Sequence, residues 1–171
     1  MNLAVPIIAV IFCLGWGICV KRRMRCQEKV LSAAYDLVCQ MQYALRSEML
    51  GTPELLEKAA QSDAGKVLTC FEAVLTAVDA GEDLYAAWER ECAAFSAEKR
   101  LSETDAALIR KTVLLLGNLD YLGVCDAYAD LAQALKQRKE YASEQNRVHG
   151  DASVKIGLLC GLGVGLLLWR P

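Results

Sequence analysis

The chain is apolar at both ends and charged only between them: every Asp, Glu, Lys and Arg except Arg170 lies from Lys21 to Lys155. A fold for it must find an apolar medium for two terminal segments and keep the middle solvated. The first segment runs from Leu3 to Val20, broken by Pro6 and a few glycines, and stops at Lys21, Arg22, Arg23 and Arg25. Its 18 residues would reach about 27 Å as a helix, close to the ~30 Å hydrocarbon core of a bilayer. Lys and Arg are retained on the cytoplasmic side, so the cluster predicts an outward N-terminus and a cytoplasmic location for the residues after Lys21. A cleavable secretory signal has the opposite order, with positive charge first and a small-residue cleavage site after the apolar run. Here nothing basic precedes Leu3, and Cys13 and Cys19 follow Phe12 and Ile18, unlike a lipoprotein cleavage site.

The second segment, Ile156 to Trp169, is preceded by Lys155 and followed by Arg170 and Pro171. Its 14 residues would cover about 21 Å, short for a span unless Ala152 to Val154 extend the helix and Lys155 snorkels. Trp169 would then sit at the far interface, where indole rings are favoured. The alternative is a buried C-terminal helix. Gly157, Gly161 and Gly165 recur every fourth residue and would form one groove on that helix. Close approach of this kind drives helix association in lipid, and Gly15 and Gly17 of the first segment offer a surface for antiparallel pairing. The competing reading is that these are only the glycines common in membrane helices. The expected organisation is a transmembrane anchor at 1–20, a cytoplasmic helical domain at 21–150 and a C-terminal transmembrane helix at 152–169.

The middle is long enough for one sizeable core. A net charge of -2 leaves no basic stripe once the membrane-flanking residues are set aside, so no nucleic-acid partner is expected. The basic cluster is better matched to topology and to anionic lipid headgroups. The eight cysteines include no C-x-x-C pair and have only His149 to join them. They read as small buried hydrophobes in a reducing compartment, with no metal site and no cofactor.

Between the basic cluster and Lys155 the pattern is helical nearly throughout. Val30, Ala34, Leu37, Met41, Ala44 and Leu45 recur at three and four and form one face of a helix running out of the anchor to near Gly51. Thr52 is the predicted cap of a short second helix, with Pro53 at its first position. A third helix is predicted from Gly65 to Ala80, with Val67, Phe71, Val74, Leu75 and Val78 inward and Gly81 ending it. The next carries Leu84, Trp88, Cys92 and Phe95 in one stripe. Ser102 and Asp105, spaced as a capping box, precede a face of Ala106, Ile109, Val113 and Leu116. Gly117 is a natural helix end and Asp120 a natural start for a last helix, from about Tyr121 to Arg147, whose far half is charged. The prediction is an all-α, compact bundle of about six helices.

No catalytic constellation is present. "GLLCGLGVG" lacks the Lys-Ser or Lys-Thr of a phosphate loop, and there is no nucleophile elbow and no zinc-binding helix motif. Glu82 with Asp83, and Glu103 with Asp105, fall at predicted helix N-termini, where they complement the macrodipole. Catalysis and a small-molecule substrate are therefore not expected.

Four short elements together carry a resemblance: Thr52-Pro53 in the early turn, Ala87-Trp88-Glu89, Leu116-Gly117 with Asp120, and Gly157 with Gly161 in the apolar tail. Their order is similar to that of the stage III sporulation protein AB family of endospore-forming bacteria. The resemblance covers the whole length, and it marks Trp88, Glu89, Gly117 and Asp120 as structural residues. It implies a cytoplasmic domain like the F-type inner-membrane platform of type II secretion and type IV pilus systems. It further implies a non-catalytic scaffold in the mother-cell membrane, part of the apparatus joining mother cell to forespore. Its partners would be a secretion-type ATPase on the cytoplasmic face and other membrane subunits. Two alternatives are a platform component of a general secretion or pilus system, and a membrane-bound enzyme using a thiol such as Cys26.

Overall fold

The computed structural model describes residues 4–48, 50–117 and 121–150, together with Ala152, Lys155, Ile156 and Leu159. Among them there are seven α-helices and no strand: α1 Ala4–Glu48, α2 Thr52–Gln61, α3 Asp63–Val67, α4 Cys70–Asp79, α5 Leu84–Lys99, α6 Glu103–Leu114 and α7 Tyr121–Gln145. A 3-10 turn, Leu115–Gly117, follows α6, and a π-helical turn, Asn146–Gly150, follows α7. The chain divides into two compact units, one of residues 1–28 and 141–171, the other of residues 29–140.

The 29–140 unit is a helical bundle. All six apolar positions predicted for α1, from Val30 to Leu45, are buried, and Leu31, Ala33 and Val38 widen the stripe. The early turn differs by one position from the prediction. Gly51, not Thr52, is the extended residue before α2 (φ -69°, ψ 162°). The Glu54 carboxylate accepts from the Gly51 N–H at 3.2 Å, the reach-back half of a capping box, while Gly51 has no side chain to supply the other half.

The predicted third helix is two. Ser62 caps α3, its Oγ accepting from the Gly65 N–H at 2.9 Å, and the chain leaves helical geometry at Leu68 (φ -92°, ψ 67°) before α4 begins. The break has a packing cause. It buries Leu68, Phe71 and Val74 together while leaving Val67 40% exposed, whereas the unbroken pattern would have turned Val67 inward. Gly65 makes the corner possible: a Cβ there would lie 2.1 Å from the Ala59 carbonyl oxygen of α2. Gly81 ends α4 as predicted, at φ 92°. Its N–H donates to Val78 at 2.9 Å and that of Glu82 to Ala77 at 3.1 Å, the paired bonds of a Schellman motif. Arg100 takes the same left-handed role after α5, at φ 51°.

In α6, Ile109 and Val113 are buried as predicted and Asp105 and Thr112 are buried in addition, while Ala106 and, in the 3-10 turn that follows, Leu116 are half-buried. Asp105 is therefore more than a carboxylate near a helix terminus. Its Oδ1 accepts from Arg138 Nε of α7 at 2.7 Å, and its Oδ2 from the Ser102 hydroxyl at 2.6 Å. The Ser102 cap itself is as predicted, Oγ accepting from the Asp105 N–H at 3.2 Å.

In the other unit, Asn146 Nδ2 donates to Glu28 Oε2 at 2.6 Å, and Ile11, Phe12, Trp16 and Ile18 of α1 are exposed at 63%, 71%, 68% and 49%. Among the described residues no helix is long and apolar enough to cross a membrane. The two predicted spans rest largely on residues outside that description: 1–3, the side chains of 4–10, 13 and 14, and all of 153–171 but Lys155, Ile156 and Leu159.

Candidate functional site

Asp83 sets the phase of α5. Its Oδ2 accepts from the N–H groups of Tyr85 and Ala86 at 3.1 and 3.0 Å, and the helix then turns Ala87, Trp88, Cys92 and Phe95 inward. Leu84, at the start of the predicted stripe, stays half-buried. Trp88 is fully buried. Its ring centroid lies 4.8 Å from that of Phe71 at an interplanar angle of 56°, and Nε1 donates to the Arg110 carbonyl at 2.8 Å. Tyr128 of α7 is also buried and donates its hydroxyl to the Thr112 carbonyl. Burial pushes its phenol above the usual range. Glu89 is exposed, and its Oε1 lies 4.0 Å from Arg110 Nε, a buried atom that this contact is too long to satisfy by a hydrogen bond.

Gly117 is a glycine for a different reason from the one its place in the sequence suggests. A Cβ on it would fall 1.7 Å from the hydroxyl oxygen of Tyr85 and 2.5 Å from Cζ, so the requirement is close approach. The obstructing atoms are the far end of a side chain, which can swing away. Gly117→Ala should cost about 1 kcal/mol, within the range of a mild overpacking. In a Tyr85→Ala background the cost should vanish, and a double-mutant cycle read by denaturant unfolding checks it.

Of the topology-determining residues, Arg22, Arg23 and Arg25 are exposed and Lys21 is half-buried. Gly15 is exposed, and a Cβ on it would meet open space. Asp120, Gly157, Gly161 and Gly165 lie outside the described residues. Cys70, Cys92 and Cys125 are buried, and Cys19, Cys26 and Cys39 are exposed or half-buried. Burial pushes the Cys70 thiol up to about 12 and raises that of Cys92, which disfavours the thiolate needed for reactivity. Among the described residues no group of three or more His, Cys, Asp and Glu could hold a metal ion.

The arrangement that sequence reasoning misses is an acidic groove. From residue 48 to residue 91 there are ten Asp and Glu and three Lys and Arg. All three cations are engaged locally: Lys58 with Glu48 at 2.6 Å, Lys66 with Asp63 at 2.9 Å and Arg90 with Glu82 at 2.6 Å. A groove of about 870 Å³ opens between α2 and α4. Leu56, Leu75, Val78 and Leu84 give it an apolar lining, and Glu54, Glu57, Glu72 and Asp79 give it a carboxylate rim. Glu57 accepts from Gln61 at 3.1 Å and Glu54 is engaged with Gly51. Glu72 and Asp79 form no ion pair among the described residues. A charge count by segment exposes the acidic surplus. The groove itself depends on the corner at Gly65 and the break at Leu68, which bring α4 beside α2.

These features define the class: an all-helical bundle bearing an acidic, apolar-lined groove, with exposed apolar side chains and a basic cluster on its first helix. The chain belongs to the stage III sporulation protein AB family, whose model matches residues 2–169, and it is accordingly a sporulation protein. No curated protein and no solved structure matches it significantly.

Proposed function

We propose that the chain is a non-catalytic, membrane-anchored scaffold of a secretion-like apparatus in the mother cell, with residues 21–150 as a helical body on the cytoplasmic face. In this reading residues 1–20 and 152–169 cross the membrane and hold the body from both ends. A secretion-type ATPase docks on the body from the cytoplasm, and other membrane subunits pack beside the anchors. The observation that carries the reading is the exposure of Ile11, Phe12, Trp16 and Ile18 on a helix that continues into Arg22, Arg23 and Arg25. Large apolar side chains clustered on a surface mark a site of contact with a membrane or another protein, and the basic residues after them favour the membrane and supply the sidedness. Membership of a sporulation family supplies the setting.

Topology is the direct test. A reporter active only in the cytoplasm should function when inserted at Gly81, an exposed turn, and should fail when fused after Pro171. Activity at both positions would mean that the second segment does not cross. Inactivity at Gly81, with the fusion present at normal level, would remove the cytoplasmic body from the proposal.

A further inference from the structure

The acidic groove between α2 and α4 has the shape and charge of a receptor for a third helix. On α2, Pro53, Leu56, Glu57 and Ala60 line it, and on α4, Glu72, Leu75 and Asp79 do so. From Pro53 the α2 positions fall at i, i+3, i+4 and i+7, and from Glu72 the α4 positions fall at i, i+3 and i+7, so each helix turns one face to the furrow. A furrow between two such faces accepts an amphipathic helix through anchors at the same spacing. α2 has ten residues and so offers about 15 Å of furrow, or about three turns of an occupant. The rim side chains are exposed while Leu56 at its base is 4% exposed, which makes this a surface furrow and not an enclosed ligand cavity.

Charge decides among occupants. Lys66, the cation that lines the groove, is held by Asp63, and Glu72 and Asp79 face solvent without a counter-charge among the described residues. An acidic peptide or a nucleic acid would meet repulsion here. An apolar occupant without charge would leave the rim carboxylates uncompensated. We infer that the groove docks a basic amphipathic helix of a cytoplasmic partner, its apolar face on Leu56, Leu75 and Val78 and its Lys or Arg side chains against Glu57, Glu72 and Asp79. The inference rests on the proposed scaffold role and names the surface through which that role is exercised. Complementary rim charge mainly accelerates encounter and selects partners, and it is weakened by salt.

The test uses the full-length protein in sporulating cells. A photo-crosslinking phenylalanine analogue replaces Gln61, an exposed residue of the groove, and as a control Ala93 on the exposed side of α5. Adducts are mapped by mass spectrometry to the crosslinked peptide. The expected result is an adduct at 61, absent at 93, whose peptide is an amphipathic helix with Lys or Arg along one side. The pair Glu72→Lys and Asp79→Lys should lower its yield about tenfold, corresponding to about 1.4 kcal/mol. Both substitutions lie at exposed positions, and an unchanged melting profile of the purified variant shows that the fold survives. An adduct to an acidic peptide, to lipid or to a second copy of this chain would overturn the inference, as would no adduct or one indifferent to charge reversal. A cytoplasmic reporter signal at Gly81 with no basic adduct would remove the groove alone. A basic adduct with no such signal would remove the topology alone.

Discussion

Trp88→Ala should destabilise the 29–140 bundle by about 3–5 kcal/mol, the range for truncating a buried tryptophan. The residue is 0% exposed, so the whole ring leaves a cavity. Two further losses accompany the ring: the tilted contact with Phe71, and the Nε1 donor that satisfies the Arg110 carbonyl. Trp88→Phe separates these effects. It keeps much of the apolar volume and loses the hydrogen bond, and should cost about 1 kcal/mol beyond its smaller cavity. Denaturant unfolding of the full-length protein in detergent, followed by far-ultraviolet circular dichroism, reads both. A midpoint for Trp88→Ala within error of the unsubstituted protein would place the ring outside the core.

The second large effect is expected at Gly65. A Cβ there meets only backbone: the Ala59 oxygen at 2.1 Å, the Ala60 oxygen at 2.7 Å and Ala60 Cα at 2.9 Å. No side chain can rotate to relieve these contacts, so α3 and α2 must separate. Gly65→Ala should cost about 3 kcal/mol, the upper part of the usual range for overpacking. Gly81→Ala is the informative comparison, because its Cβ would meet open space while its φ of 92° is strained for any L side chain. It should cost about 1 kcal/mol from conformation alone. The two variants also differ in reach: moving α2 disturbs the α2–α4 groove, and the Gly81 turn does not line it. Equal costs at the two positions would contradict the steric account of Gly65.

Legibility in the sequence follows the range of the interaction that fixes each feature. The inward face of α1 and the Ser102 and Asp83 signals are local, because spacing and capping chemistry are written within a few residues. The helical character of the bundle is legible for the same reason. The division of the predicted third helix is not, since Ser62 is a modest local signal and the decisive contact is between Gly65 and the backbone of α2. Asp105 reads as a helix-terminal charge because nothing nearby in sequence announces Arg138, 33 residues away. Gly117 is identifiable by place, but its cause, the Tyr85 ring, lies on another helix. The groove is invisible at residue level because none of its members is unusual alone. Its acidic surplus is countable, while the alignment of two helix faces is a tertiary fact.

The bonds from Trp88 and Tyr128 to α6 end on carbonyl oxygens of residues 110 and 112, and this has a consequence for how the family can drift. A carbonyl is common to all twenty amino acids, proline included. The donors are therefore fixed by identity, while the acceptors are fixed only by position. A pair of side chains joined in this way would have to change together; here one partner cannot be mutated away. Selection can hold indole and phenol at 88 and 128 while leaving residue 110 open to change, and an alignment would record no correlated substitutions across either contact. The register of α6 would then be transmitted between generations by two aromatic residues that lie on other helices.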